Sequence, residues 1–318
     1  MVHGTNAADV PEDPARLAII DRDAAADPGL ILGFLKQDRV VLVEGVHANH
    51  IDSLMYAVAD QLGLGDALEL QAGFADYLGH RQRVGKFFMT VNKRRDYQFI
   101  SSHSEGGIAS GMQLASFYCF ENTTDGGETI LMNVDAESAV WQFLRERVRR
   151  GRLEKPSLPE HEMLRARRLY HLNLPADILR NDDQIVQERR TEIAGLTIVE
   201  VLAKPDKFYC RLLDRKLNVY WDSIDGPDLD SAREFERLLR EWGLLKEPPG
   251  GFDLSQLDEG ASRRVWRSGM TYGQLFKCRV TRKLAPGDLV IQNNLTWTHA
   301  NNNWSPGSGT RKVVASFA

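Results

Sequence analysis

The sequence predicts a single, mainly β domain with flanking helices. Short apolar runs with β-branched and aromatic content recur between turn signals, they crowd toward the C-terminus, and only three segments carry helical periodicity. Val40-Val41-Leu42-Val43, between Asp38-Arg39 and Gly45, reads as a short buried strand. A helix follows over 51–62, with Ile51, Leu54, Met55, Val58 and Leu62 on one face. A second is expected over 135–149, where Val140, Phe143, Leu144 and Val148 make a stripe and an acidic start and basic end suit the helix dipole. A third spans 231–245, capped by Asp230 or Ser231. Strands are expected at 197–202, 208–213, 217–221, 276–280, 288–292 and 313–317.

Composition narrows the function classes. The chain has 318 residues, of which 42% are apolar and 26% charged, enough to bury a sizeable core. With 44 acidic against 40 basic side chains the net charge is -4, which argues against a dedicated nucleic-acid binder. No apolar run approaches the roughly 18 residues of a membrane span. The stretch Met1-Val2-His3-Gly4-Thr5-Asn6 lacks a signal-peptide layout. Cys119, Cys210 and Cys278 stand in no metal-like or redox spacing, so buried thiols and a cytoplasmic location are expected. Residues 1–15, with Gly4, Asp9, Pro11, Glu12 and Pro14, read as a mobile acidic arm. Residues 16–318 read as one domain, with an insertion or lid at about 151–280.

His3, His47, His50, His80, His161 and His171 have plain surface, cap or arm explanations. His103 stands apart, in the strand-like run Phe99-Ile100-Ser101-Ser102-His103-Ser104-Glu105 that leads into Gly106-Gly107. Residues two apart on a strand project from one face, so His103 and Glu105 can reach one ion. Imidazole and carboxylate suit Fe(II), Mn(II) or Zn(II), and two histidines with one carboxylate on one face leave positions open. His299 is the best third ligand. Twelve residues later, past a turn at 306–309, Arg311 is expected to return beside the His299 strand and clamp a carboxylate.

His103-Ser104-Glu105, Asp125-Gly126-Gly127-Glu128-Thr129, His299 and Arg311, in this order and spacing, resemble the Fe(II)/2-oxoglutarate oxygenases of the taurine dioxygenase and clavaminate synthase-like superfamily. The resemblance covers about 30–135 and 270–318. It implies a double-stranded β-helix (jelly roll) whose inner face holds iron on His103, Glu105 and His299. It also implies that Arg311 binds the far carboxylate of 2-oxoglutarate, that Thr129 bonds the same cosubstrate, and that O2 is consumed. Ala315 stands where many relatives carry a second arginine, and Asn293-Asn294-Leu295 stands where they often read Asp-Asn-Arg. Glu105, in place of the commoner Asp, is the pattern of the clavaminate synthase and amino-acid hydroxylase branch, and it argues against halogenation.

The function expected is oxidation of an unactivated C–H bond of a small molecule, foremost hydroxylation of an amino acid or amino-acid-derived intermediate in specialised metabolism. Desaturation, cyclisation or epimerisation on the same scaffold stays open, as do a non-catalytic jelly-roll binding protein and a zinc hydrolase. Phe99, Gln113 and Trp297 are candidate pocket residues. Lys93, Arg94 and Arg95 form a charge run, read first as a solvated face and second as an attractor of anions. Neither nucleic acid nor membrane is expected as a partner, and homo-oligomerisation is left open.

Overall fold

The buried runs pair into two facing sheets. The computed structural model describes residues 10–77, 81–91, 97–106, 111–220, 229–251 and 271–318. Its front part holds β1 (Leu17–Asp21), α1 (Pro28–Lys36), β2 (Val40–Glu44), α2 (Ile51–Asp60), α3 (Gly65–Tyr77), β3 (Arg83–Val84), β4 (Phe88–Thr90), β5 (Ile100–His103), β6 (Leu114–Asn122) and β7 (Thr129–Val134). The middle holds β8 (Glu146–Leu153), α4 (Glu160–Tyr170), β9 (Gln184–Arg190), β10 (Leu196–Ala203), β11 (Phe208–Cys210), β12 (Arg215–Leu217) and α5 (Leu229–Glu241). The last part holds α6 (Tyr272–Leu275), β13 (Phe276–Arg282), β14 (Leu289–Asn293), β15 (Trp297–Asn301) and β16 (Arg311–Phe317).

The large sheet has the order β1-β2-β14-β6-β16-β4-β3 and the small one β13-β7-β15-β5. From β5 to β7 and again from β13 to β16 the chain alternates between the two sheets, which is the winding of a double-stranded β-helix. Strand alternation assigns three packed layers. Phe117, Cys119, Val290, Val313, Ala315 and Phe317 of the large sheet meet Leu131, Cys278, Val280 and Trp297 of the small sheet inside the barrel. Val41, Val43, Leu289 and Ile291 turn outward under Ile31, Leu35, Met55 and Val58 of α1 and α2. Ile130, Met132, Phe276 and Ala300 turn outward on the other side under Phe235, Leu238 and Leu239 of α5. Burial of each such side chain contributes about 1.5–3 kcal/mol, so both helical covers are integral to the barrel.

Asp38 closes one end of the barrel. Its carboxylate accepts from Thr296 Oγ1 at 2.6 Å and from Asn133 Nδ2 at 2.9 Å, and its carbonyl from Trp297 Nε1 at 3.3 Å. These bonds fix where β15 begins and hence where His299 lies along it.

Several expectations need correction. Residues 135–149 are not a helix: Ser138 caps a short 3-10 turn at Ala139–Gln142, and β8 begins at Glu146. The helical stripe loses to pairing with β10, which sets Val148 against Val201 and Arg149 against Glu200, with Arg147 Nε 3.6 Å from the same carboxylate. The segment between β7 and β13 carries a separate three-stranded sheet, β8-β10-β9, with α4, the β11–β12 hairpin and α5. It runs between Val134 at the end of β7 and Phe276 at the start of β13. Of the expected arm, residues 1–9 lie outside the described residues, while Val10 is buried and Pro11 and Asp13 bond the backbone of Arg279. No described helix is long and apolar enough to cross a membrane.

Candidate metal centre

His103 and His299 sit directly opposite each other on the antiparallel strands β5 and β15, with ring centroids 4.3 Å apart. Glu105, two residues past His103, brings Oε2 to 3.9 Å from Nε2 of each ring. The three ligand atoms lie within 4.8 Å of one another, and this is the only such cluster among the described residues. The site is enclosed: His299 is 3% exposed and its ring packs on Phe117 at 4.7 Å and Phe317 at 6.3 Å.

Outer contacts orient each ligand. His103 Nδ1 bonds the Ser101 carbonyl at 2.9 Å, which places the proton on Nδ1 and turns the Nε2 lone pair toward Glu105. The Gln292 amide, anchored on the Trp297 carbonyl, lies 3.5 Å from His299 Nδ1. Asn294 is fully buried and clasps the backbone of Glu105, accepting from its N–H and donating to its carbonyl, both at 2.9 Å. Its amide also donates to the Met112 carbonyl at 2.9 Å. Arg81 donates to Glu105 Oε1 at 3.1 Å.

Arg311 begins β16. β15 and β16 belong to different sheets, so the expected hairpin does not form; the segment 302–310 crosses the barrel edge. The guanidinium nevertheless reaches β15, donating through Nη2 to Asn301 Oδ1 at 2.6 Å, and through Nε to the Gly127 carbonyl at 3.1 Å. Burial lowers its pKa to about 10, with the field of Cys119 and Glu128 opposing the shift, so it stays cationic at neutral pH. No carboxylate pairs with it among the described residues. Gly127 has φ +73°, and a Cβ there would come 2.9 Å from Arg311 Cδ, so this glycine makes the room in which the arginine lies.

Thr129 pairs with Asn301 in the β7–β15 register, and its buried Oγ1 has no hydrogen-bond partner among the described residues. Asn301 shares the inner face of β15 with His299, two residues away, about 7 Å along the strand. Arg311, Thr129 and Asn301 therefore converge on the same side of the barrel as the two histidines and Glu105.

The three candidate pocket residues are engaged elsewhere. A register irregularity between β5 and β15 sets His103 opposite His299 but Ile100 opposite Asn301, which reverses the parity upstream. Phe99 accordingly packs with Met132, Ala300 and Phe235 under α5, on the face away from His299. Gln113 bonds the Tyr209 carbonyl and the Arg211 N–H, each at 2.9 Å, and ties down the β11–β12 hairpin. Trp297 is on the inner face but fully buried at the Asp38 end. Lys93, Arg94 and Arg95 lie outside the described residues. Sequence reasoning missed Arg81, Asn294, Asn301 and Gln292. Asn301 alone had a readable signal, the same strand parity as His299.

No protein-family profile matches the chain, and no curated protein does. Solved structures with a related outline include PvcB from Pseudomonas aeruginosa, with a TM-score of 0.36 and 11% identity over 97% of this chain and 89% of that one. A second structure of PvcB, described as an Fe, alpha-ketoglutarate-dependent oxygenase from an isonitrile synthetic pathway, gives 0.35 at 11% identity and the same coverage. The non-heme iron oxygenase OrfP in complex with Fe gives 0.37 at 12% identity over 92% of this chain and 79% of that one.

Proposed function

We propose that this protein is an Fe(II)/2-oxoglutarate-dependent oxygenase. His103, Glu105 and His299 form the iron facial triad, and Arg311 and Thr129 hold the cosubstrate. The donor set fits the metal: two neutral imidazoles and one carboxylate, with outer contacts fixing all three, suit a non-haem Fe(II) with open positions.

One observation favours the oxygenase over a zinc hydrolase or a binding module. A largely buried arginine without a carboxylate partner and a buried threonine hydroxyl without a hydrogen-bond partner, both among the described residues, meet at Asn301, two strand residues from His299. A five-carbon dicarboxylate that chelates a metal at its keto end supplies the missing acceptor at its other end. Arg311 orients that carboxylate through its planar fork, and Thr129 donates to it. With iron bound, the centre supplies O2 activation, coupled to oxidative decarboxylation of the cosubstrate and oxidation of a substrate C–H bond. Phe117 and Phe317 keep bulk water from the His299 side of the triad. The substrate proposed is a small molecule, foremost an amino acid or amino-acid-derived intermediate that is hydroxylated.

The test is an anaerobic titration of the apoprotein with Fe(II) and then 2-oxoglutarate. A weak visible charge-transfer band is expected, absent in His103→Ala and weakened in Arg311→Ala. No band from a folded wild-type protein overturns the reading. O2-independent hydrolysis supported by Zn(II) would put the hydrolase in its place.

A further inference from the structure

We infer that Arg81 is a positioning residue that divides the labour between the two oxygens of Glu105, holding Oε1 so that Oε2 alone faces the metal position. The inference rests on the triad being a metal site. Glu105 Oε2 stands at equal distance, 3.9 Å, from the Nε2 atoms of His103 and His299. Oε1 takes the Arg81 Nη2 donor at 3.1 Å. Both side chains are mostly shielded, 19% and 21% exposed, so the pair is less screened than a surface bridge.

The guanidinium is itself held. Its Nη1 lies 3.6 Å from Met89 Sδ on β4, and its centre lies 5.7 Å from the ring of Phe317, which also stacks with His299. Asn294 fixes the Glu105 backbone while Arg81 fixes its carboxylate rotation, so this ligand is constrained at both ends. A carboxylate free to rotate can present both oxygens to a metal and occupy a position that the cosubstrate or O2 requires. Arg81 removes that option. Its charge acts in the opposite sense, since a cation beside the site repels a divalent ion. Orientation and charge therefore predict changes of opposite sign when Arg81 is neutralised.

The experiment compares wild type, His103→Ala, Arg81→Gln, Arg81→Lys and Met89→Leu. Mn(II) affinity is read by titration, the visible ligand-field band after Co(II) loading reports coordination number, and Tm reports folding. Arg81→Gln is expected to weaken Mn(II) binding about 10- to 100-fold, the usual effect of losing an outer contact to a metal ligand. Its Co(II) band is expected to change in intensity while Tm stays near wild type. Arg81→Lys, which keeps the repelling charge but not the planar donor, is expected to bind Mn(II) at least as weakly as Arg81→Gln, and it decides the matter if Arg81→Gln does not fold. Met89→Leu, which removes the sulfur beside Nη1, should change the band in the same sense as Arg81→Gln but less. Tighter Mn(II) binding by Arg81→Gln, or an unchanged affinity and band, overturns the inference. Failure of the wild type to bind Mn(II) more tightly than His103→Ala overturns the metal site instead.

Discussion

His103 and His299 are cross-strand partners: each faces the other across a single pair of antiparallel strands, with ring centroids 4.3 Å apart. The distance between them is thus set by backbone pairing, with no loop able to alter it. Glu105, two residues past the end of β5, depends instead on side-chain contacts to hold its place.

Asn294→Asp tests that dependence. Aspartate can still accept from the Glu105 N–H, but it cannot donate to the Glu105 and Met112 carbonyls, and it sets a buried charge against them. A loss of about 2–4 kcal/mol in denaturant unfolding is expected, with weaker Fe(II) binding. Asn294→Ala should cost less than Asn294→Asp if the buried charge dominates.

Arg311→Lys retains the cation but loses the fork that reaches the Gly127 carbonyl and Asn301 together. Loss of one charge-assisted bond, about 1.5–3 kcal/mol, corresponds to roughly 10- to 100-fold weaker 2-oxoglutarate binding. Anaerobic titration of the Fe(II)-loaded protein should show this with Fe(II) affinity unchanged.

Gly127→Ala places a Cβ at φ +73° and 2.9 Å from Arg311 Cδ. The backbone strain costs on the order of 1–2 kcal/mol, and the arginine must move. Lower Tm and weaker 2-oxoglutarate binding are expected together, whereas Gly33→Ala, with open space around it in α1, should lower neither.

Glu146, in the insert, has its pKa raised to about 7 by burial, with Asp206 adding to the shift and Arg150 opposing it. Because the folded value lies above the ordinary 4.5, the folded state holds the proton between these two values and the unfolded state does not. Stability from this group is therefore present at pH 4.5 and below, and it is lost as pH rises to about 7. Glu146→Gln should match wild type near pH 4.5 and be more stable near pH 8, on the order of 2 kcal/mol. Equal Tm values for the two proteins across that range would contradict it.

The residues proposed as ligands were legible because strand parity and chain order sufficed to nominate them. Thr129 alone needed the resemblance for its role, and the structure adds that the donor atoms of His103, Glu105 and His299 lie within 4.8 Å of one another and that Arg311 reaches Asn301. Arg81 lies 24 residues before Glu105 and shares no period with it, so only the tertiary fold brings the two together. Asn294 read as a departure from a familiar pattern because its partners, the backbone of Glu105 and Met112, are specified nowhere near it in sequence. Phe99 was misplaced by a bulge, which parity alone does not reveal. The helix expected over 135–149 failed because a stripe of Val140, Phe143, Leu144 and Val148 carries no information about β10, the partner that overrode it.

The place where the insert joins the barrel bears on the order of assembly. Val134 and Phe276 are paired residues at the ends of β7 and β13, so everything between them leaves and returns through one rung of the small sheet. Closing that rung across a bare loop of such length would cost roughly 3 kcal/mol more than closing a tight hairpin. The β8-β10-β9 sheet and α5 shorten the effective loop when they pack before that rung closes, and α5 also covers the outer face of the strands being joined. Nucleation of the small sheet thus waits on the insert, and a lesion in the insert should slow refolding of the barrel even where it leaves the finished centre untouched.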